Sequence, residues 1–214
     1  MKHSAVAALA LAAVSLMSMT ALAQTPAPSA SAPAVAAQAT QRLRGTLQSF
    51  DGSTLVMTER DGEVLRLALA DNFSVSEVLP IALTAIQPGS FVGAAALPSA
   101  DGHLLALEVL VFPESARGSG EGHYPWDLQP GSTMTNATVA DVVTQAQGQT
   151  LTLRYKDGEK TLNVPPSVPV VTFKPADRSL LVPGAKLLVT AQLRNGVPTA
   201  LRALAGRDGF TPPM

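Results

Sequence analysis

Two stretches of this chain carry the same punctuation, and that constrains the fold more than any single residue does. Residues 44–69 read RGTLQSFDGSTLVMTERDGEVLRLAL, and residues 86–112 continue with IQPGSFVGAAALPSADGHLLALEVLVF. Later, residues 136–164 read NATVADVVTQAQGQTLTLRYKDGEKTLNV, and residues 181–204 continue with LVPGAKLLVTAQLRNGVPTALRAL. Gly52 matches Gly148, Asp61-Gly62-Glu63 matches Asp157-Gly158-Glu159, Pro88-Gly89 matches Pro183-Gly184, and Asp101-Gly102 matches Asn195-Gly196. The offsets are 96, 96, 95 and 94 residues. A self-similarity held over that length is the mark of a duplicated module.

The landmarks have a physical content. Asp-Gly and Asn-Gly accommodate the positive φ angles of tight hairpin turns. Pro-Gly supplies a fixed φ followed by a permissive one. Between the turns the residues alternate. Leu151, Leu153 and Tyr155 share one face of a strand, with Thr152 and Arg154 on the other. Ala185, Leu187, Val189, Ala191 and Leu193 repeat the pattern, as do Leu65, Leu67 and Leu69. Period-two alternation with frequent turn signals means antiparallel strands. About five or six short strands are expected in each copy, and a curved sheet of that size closes into a small barrel to remove its edges. The segment VPPSVPVVTFKPADRSLLVPG holds five prolines, which rules out an ordinary helix there; an extra strand and a turn are expected instead. The fold class is therefore all-β, with two tandem small OB-like barrels.

The ends of the chain carry a different message. Lys2 and His3 precede an apolar run from Ala5 to about Met19, and Thr20-Ala21-Leu22-Ala23 places small residues where a signal peptidase reads them. Residues 1–23 thus read as a signal peptide cleaved after Ala23. Residues 24–41 are rich in Pro and Ala and read as a disordered linker. No later apolar stretch reaches the roughly 20 residues of a membrane-spanning helix, so no membrane span remains after cleavage. The chain has no cysteine, which excludes disulfides, thiolate nucleophiles and Cys-based metal sites. Loss of Lys2 leaves 14 basic and 16 acidic residues, a balance that gives nucleic acid no electrostatic reason to bind. A periplasmic location is expected.

The tandem pattern, with Gly-Thr-Leu ahead of a turn, Asp-Gly-Glu at a hairpin and Pro-Gly ahead of a strand, resembles a broad family of bacterial envelope domains with an OB-like barrel and no assigned activity. The segment RGSGEGHYPWDLQPGSTMTNATV (117–139) resembles a set of exported proteobacterial proteins, some of which carry a label linking them to metal ABC transporter permeases. The resemblance implies the fold and an exported location, and it carries over no catalytic residue. A permease role conflicts with the absence of spanning segments.

The segment between the two copies stands apart chemically. It holds the only tryptophan, Trp126, with Tyr124, His123, Glu121 and Asp127, behind a glycine-rich run and Arg117. Permissive backbone followed by an aromatic platform with ionisable neighbours is what a ligand loop looks like. Arg117, Glu121, His123, Tyr124, Trp126 and Asp127 are the candidate ligand-binding residues. Two other readings stand beside this one. Trp126, Tyr124 and Leu128 could plug a seam between two barrels that each bury little core alone. Glu121, His123 and Asp127 offer mixed oxygen and nitrogen donors for a divalent metal, although zinc usually wants more His or Cys. A hydrolytic reading, with Ser119 or Ser132 as nucleophile beside His123, lacks any nucleophile-elbow pattern.

The domain organisation expected is barrel 1 at 42–113, a Gly/aromatic bridge at 114–134, barrel 2 at 135–207 and a tail at 208–214. The expected function is that of a non-catalytic periplasmic binding or interaction protein that recognises an envelope protein or an oligomeric ligand at the bridge. No cofactor is expected beyond a possible divalent metal. The alternative is a metal-binding accessory using His123 with Glu121 and Asp127.

Overall fold

The computed structural model describes residues 39–213. The signal peptide expected at 1–23 and most of the linker expected at 24–41 lie outside the described residues. Within them the protein is all-β. The strands are β1 (Gln41–Phe50), β2 (Thr54–Glu59), β3 (Val64–Pro80), β4 (Phe91–Pro98), β5 (Leu104–Val111), β6 (Gly122–Pro125), β7 (Thr133–Gln145), β8 (Gly148–Tyr155), β9 (Gly158–Val164), β10 (Val170–Ala176), β11 (Lys186–Arg194) and β12 (Val197–Gly206). The only helical pieces among the described residues are single 3-10 turns at Leu83–Ala85, Glu114–Ala116 and Arg178–Leu180. No described helix is long and apolar enough to cross a membrane.

Several turns form as their residues dictate. Asn195 and Gly196 both have positive φ, 50° and 78°, in the two-residue hairpin where Arg194 pairs with Val197. That is the geometry an Asn-Gly pair favours, because its twist matches that of the flanking strands. Asp51, Asp61 and Asp101 each accept a hydrogen bond from the backbone N–H two residues on, closing their turns with the side chain.

Strand pairing closes one five-strand barrel. β1 lies between β2 and β11, β2 pairs with β3, β11 pairs with β12, and β12 runs parallel to β3. Its core gathers Leu47, Leu55, Met57, Leu67, Leu187 and Val189, all nearly inaccessible. The alternation read at Ala185 to Ala191 is therefore an inward face; Leu193, at the hairpin tip, is exposed instead. The other strands continue the sheet. β10 pairs with the end of β3 and briefly with β5; β4 lies between β5 and β7, and β7, β8 and β9 follow in antiparallel order. β9 meets β5 in parallel at Leu104↔Leu162 and Leu105↔Asn163. These strands surround a second core that includes Val92, Val109, Val139, Leu151, Leu153 and Leu162. Val78, Leu110, Val171 and Leu188 form a third, smaller buried cluster.

The consecutive arrangement expected from the sequence is corrected by this pairing. Residues 42–113 do not close on themselves: β1–β3 close with β11 and β12, while β4 and β5 join β7–β9. The cause lies in β3. It is 17 residues long, runs past the end of β2 and continues along β12 and β10 to Pro80. The 3-10 turn at Leu83–Ala85 then starts the chain toward β4, which pairs with β5 and β7, and the edge of β1 is taken by β11.

Candidate functional site

The bridge is ordered by short-range contacts before it reaches the aromatic residues. The Arg117 guanidinium bonds Glu114, and its Nη2 donates to the carbonyl of Gly89 at 2.9 Å, which pins the start of the bridge to the turn before β4. Glu121 accepts the backbone N–H of Lys156 at 3.0 Å. β6 then pairs antiparallel with β7, Gly122 opposite Asn136 and Pro125 opposite Thr133.

Because neighbouring residues of a strand point to opposite faces, β6 divides the predicted site. His123 turns one way, with Nδ1 at 2.8 Å from Thr135 Oγ1 and its ring stacked on Tyr155 at 6.5 Å between centroids. Burial and the Lys160 charge hold its imidazole below the ordinary pKa, which favours the neutral form. Tyr124 turns the other way; its hydroxyl accepts from Asn136 Nδ2 at 3.2 Å, and its ring lies 6.2 Å from that of Trp126. Burial pushes the Tyr124 phenol upward against the opposing charge of Arg42.

Beyond β6 the chain delivers Trp126 and Asp127 to the start of β1. The Arg42 guanidinium sits over the indole face of Trp126, 3.9 Å from the centroid. Cation–π contacts of this kind contribute about 0.5–2 kcal/mol, more as water is excluded. Asp127 receives Arg42 Nε at 3.0 Å and Arg44 Nη2 at 2.8 Å. Partial burial raises the Asp127 carboxyl, but the hydrogen bonds and charges of Arg44 and Arg42 outweigh it and hold the pKa below the usual value. Arg44 is buried, and its charge also faces Glu108 of β5. Glu108 is fully buried with neither carboxylate oxygen hydrogen-bonded, and burial pushes its pKa up to about 8. The indole Nε1 of Trp126 is likewise buried without a partner.

Of the six candidate ligand-binding residues, the structure brings Tyr124, Trp126 and Asp127 together and leaves Arg117, Glu121 and His123 in separate contacts. The metal set of Glu121, His123 and Asp127 is not assembled: Glu121 is tied to Lys156, His123 to Thr135, and Asp127 to two arginines. Among the described residues, the carboxylates close enough to share an ion are those of Glu59, Asp61 and Glu63 at the β2–β3 turn, with ligand atoms within 4.8 Å of one another. An all-oxygen set suits a hard cation rather than zinc. Ser132 Oγ lies between the carbonyls of Trp126 and Gln129, at 3.0 and 2.7 Å, and has no His partner.

Arg42, Arg44 and Glu108 were not singled out in the sequence. The available signal was the spacing of Arg42 and Arg44, two apart and so on one face of the first strand, beneath an aromatic segment that holds an aspartate. Comparison with protein-family models, with curated proteins and with solved structures found no match to this chain.

Proposed function

We propose that this is a non-catalytic binding or interaction protein of the bacterial periplasm, exported by the signal at residues 1–23, that recognises an envelope protein or an oligomeric ligand at the bridge. The observation that carries the reading is the cluster of Arg42, Tyr124, Trp126 and Asp127. It combines an aromatic ring, a guanidinium and a carboxylate on partly exposed surface, where strand β1 meets the bridge. Aromatic anchors beside arginine are the residue types that concentrate binding energy at recognition surfaces.

The strand pairing supports an OB-like assignment for both halves. The cyclic order β1-β2-β3-β12-β11, with β3 and β12 parallel, is repeated by β7-β8-β9-β5-β4, with β9 and β5 parallel. In this reading the duplicated modules are two OB-like barrels that have exchanged their last two strands. OB-like barrels bind oligomers across a face, an analogy of fold that does not name a ligand.

Trp126 is the only tryptophan, so its emission reports on the bridge alone. Titration with neutral oligosaccharides, acidic oligosaccharides and extended peptides is expected to shift that emission saturably for one class. Arg42→Ala is expected to weaken the response about tenfold or more, in line with loss of an anchor. A spectrum unchanged by all three classes would remove the bridge as a recognition surface.

A further inference from the structure

A concave surface of about 380 Å³ lies where β1, β2 and β11 meet the segment after β12. That volume falls at the lower end of small-molecule sites, which run from about 300 to 1,000 Å³. Strand register builds its floor. Thr46 of β1 lies opposite Lys186 of β11 on one side and opposite Thr58 of β2 on the other, so one row across three strands presents an ammonium and two hydroxyls. Lys186 Nζ donates to Thr46 Oγ1 at 2.8 Å, and Gln48 Nε2 donates to Thr58 Oγ1 at 2.6 Å. Each hydroxyl therefore has an acceptor lone pair engaged and its own proton left to donate.

Charge points the same way. Arg44, Arg60, Lys186 and Glu59 line the cleft; Arg44 is paired with Asp127, so the positive charge of the cleft rests on Arg60 and Lys186. The Arg60 guanidinium forms no ion pair with any described residue. Burial, helped by Asp61 and Glu63, pushes the Glu59 carboxyl above its ordinary pKa, and the Arg44 charge opposes that shift. Leu187 and Pro212 supply little apolar wall, so the cleft does not suit a lipid chain.

We propose that this cleft binds an oxyanion, a phosphate or carboxylate group of a small solute, gripped by Arg60 and Lys186 and oriented by the hydroxyls of Thr46 and Thr58. The site is separate from the proposed aromatic recognition surface, which it meets only through Arg44. Calorimetric titration of the full chain at low ionic strength with inorganic phosphate, and separately with citrate, tests it against sodium chloride at matched ionic strength. Saturable binding of one of the two anions is expected. Arg60→Ala or Lys186→Met should weaken it about tenfold, the worth of one charge-assisted hydrogen bond. Thr46→Val should weaken it several-fold with no change in charge, a loss that a merely positive surface would not show. Binding of neither anion beyond the chloride control, or equal binding by the Arg60 and Lys186 variants, overturns the proposal. Trp126 emission recorded in the same titrations separates its failure from failure of the bridge.

Discussion

Arg44 and Asp127 stand 83 residues apart in the chain, and the Arg44 Nη2 donates to Asp127 Oδ1 across 2.8 Å. The two ends of this pair sit in different media. The Arg44 side chain is 9% exposed, whereas that of Asp127 is 44% exposed. Removing the carboxylate therefore takes a counterion from a buried guanidinium, which costs more than an exposed ion pair contributes. Asp127→Asn is expected to lower stability by about 1–3 kcal/mol, read from denaturant midpoints near neutral pH. Arg42→Ala, made at the more exposed guanidinium, should cost about 1 kcal/mol. Because Asp127 is held below its ordinary pKa, its contribution is complete above the unfolded value of about 3.9 and is lost as pH falls through the folded value. Asp127→Asn should therefore flatten part of the acid limb of the stability profile; an unchanged limb would mean that the pair does not couple the bridge to β1.

Glu108 gives the opposite dependence. Glu77 is also buried, yet Arg207 grips both of its carboxylate oxygens at 2.8 and 3.0 Å. Glu108 has no hydrogen-bond partner, and its pKa is pushed up to about 8 by burial, partly offset by Arg44. An unfolded Glu titrates near 4.3. Between these values the native state holds a proton that the unfolded chain has released, so stability falls as pH rises from about 4.5 toward 8. The loss by pH 7 is on the order of 4 kcal/mol, at about 1.4 kcal/mol per pH unit. Glu108→Gln should remove this slope. Glu108→Leu should raise stability at pH 8 by about 1–3 kcal/mol, because an unpartnered buried polar group is replaced by an apolar one. Equal slopes in the wild type and Glu108→Gln, measured by urea unfolding from pH 5 to 8, would contradict the burial argument.

The matched glycines Gly52 and Gly148 should not respond alike. Both have positive φ, 97° and 122°. A Cβ at Gly52 would meet nothing within 4 Å, whereas one at Gly148 would lie 2.1 Å from the carbonyl oxygen of Val164 on the neighbouring strand. Gly52→Ala is expected to cost about 1–2 kcal/mol of backbone strain. Gly148→Ala adds a backbone clash and should cost about 3 kcal/mol or more. Thermal melts of the two variants compare them directly.

These contrasts show what a single sequence could and could not convey. Turn chemistry was legible because it is local: Asn195-Gly196 adopts the positive φ pair that its residue types favour, and Leu151 and Leu153 are buried as their alternation required. Strand partnership was not legible. The run at 91–98 and the run at 186–194 carry similar patterns, so either could pair with β1 on local grounds; long β3 decides by carrying the chain past the barrel it helped to build. At the bridge, the clustering of Tyr124, Trp126 and Asp127 followed from composition. The separation of His123 from them did not, because it depends on the face of β6 that each residue takes. Glu108 was hidden in an apolar run, where burial by a neighbouring layer cannot be read from period two alone.

The pairing of β1 with β11 and of β4 with β7 leads to a prediction that halves closed on their own strands would not. A protease site placed at Gly118-Ser119-Gly120 lies in an exposed part of the bridge, and a Cβ at Gly118 would meet nothing within 4 Å. Cleavage there leaves one fragment with β1–β5 and another with β6–β12. The first fragment needs β11 and β12 to complete the closed barrel, and the second needs β4 beside β7 and β5 beside β9. Neither fragment can bury its core without the other, because Leu47 and Leu55 pack with Leu187 and Val189, and Val92 and Val109 pack with Leu151 and Leu162. The nicked protein is therefore expected to elute as one species on size-exclusion chromatography in native buffer and to part only in denaturant. Two folded fragments eluting separately in native buffer would show that each half closes on its own strands, and the pairing of β1 with β11 would have to be abandoned.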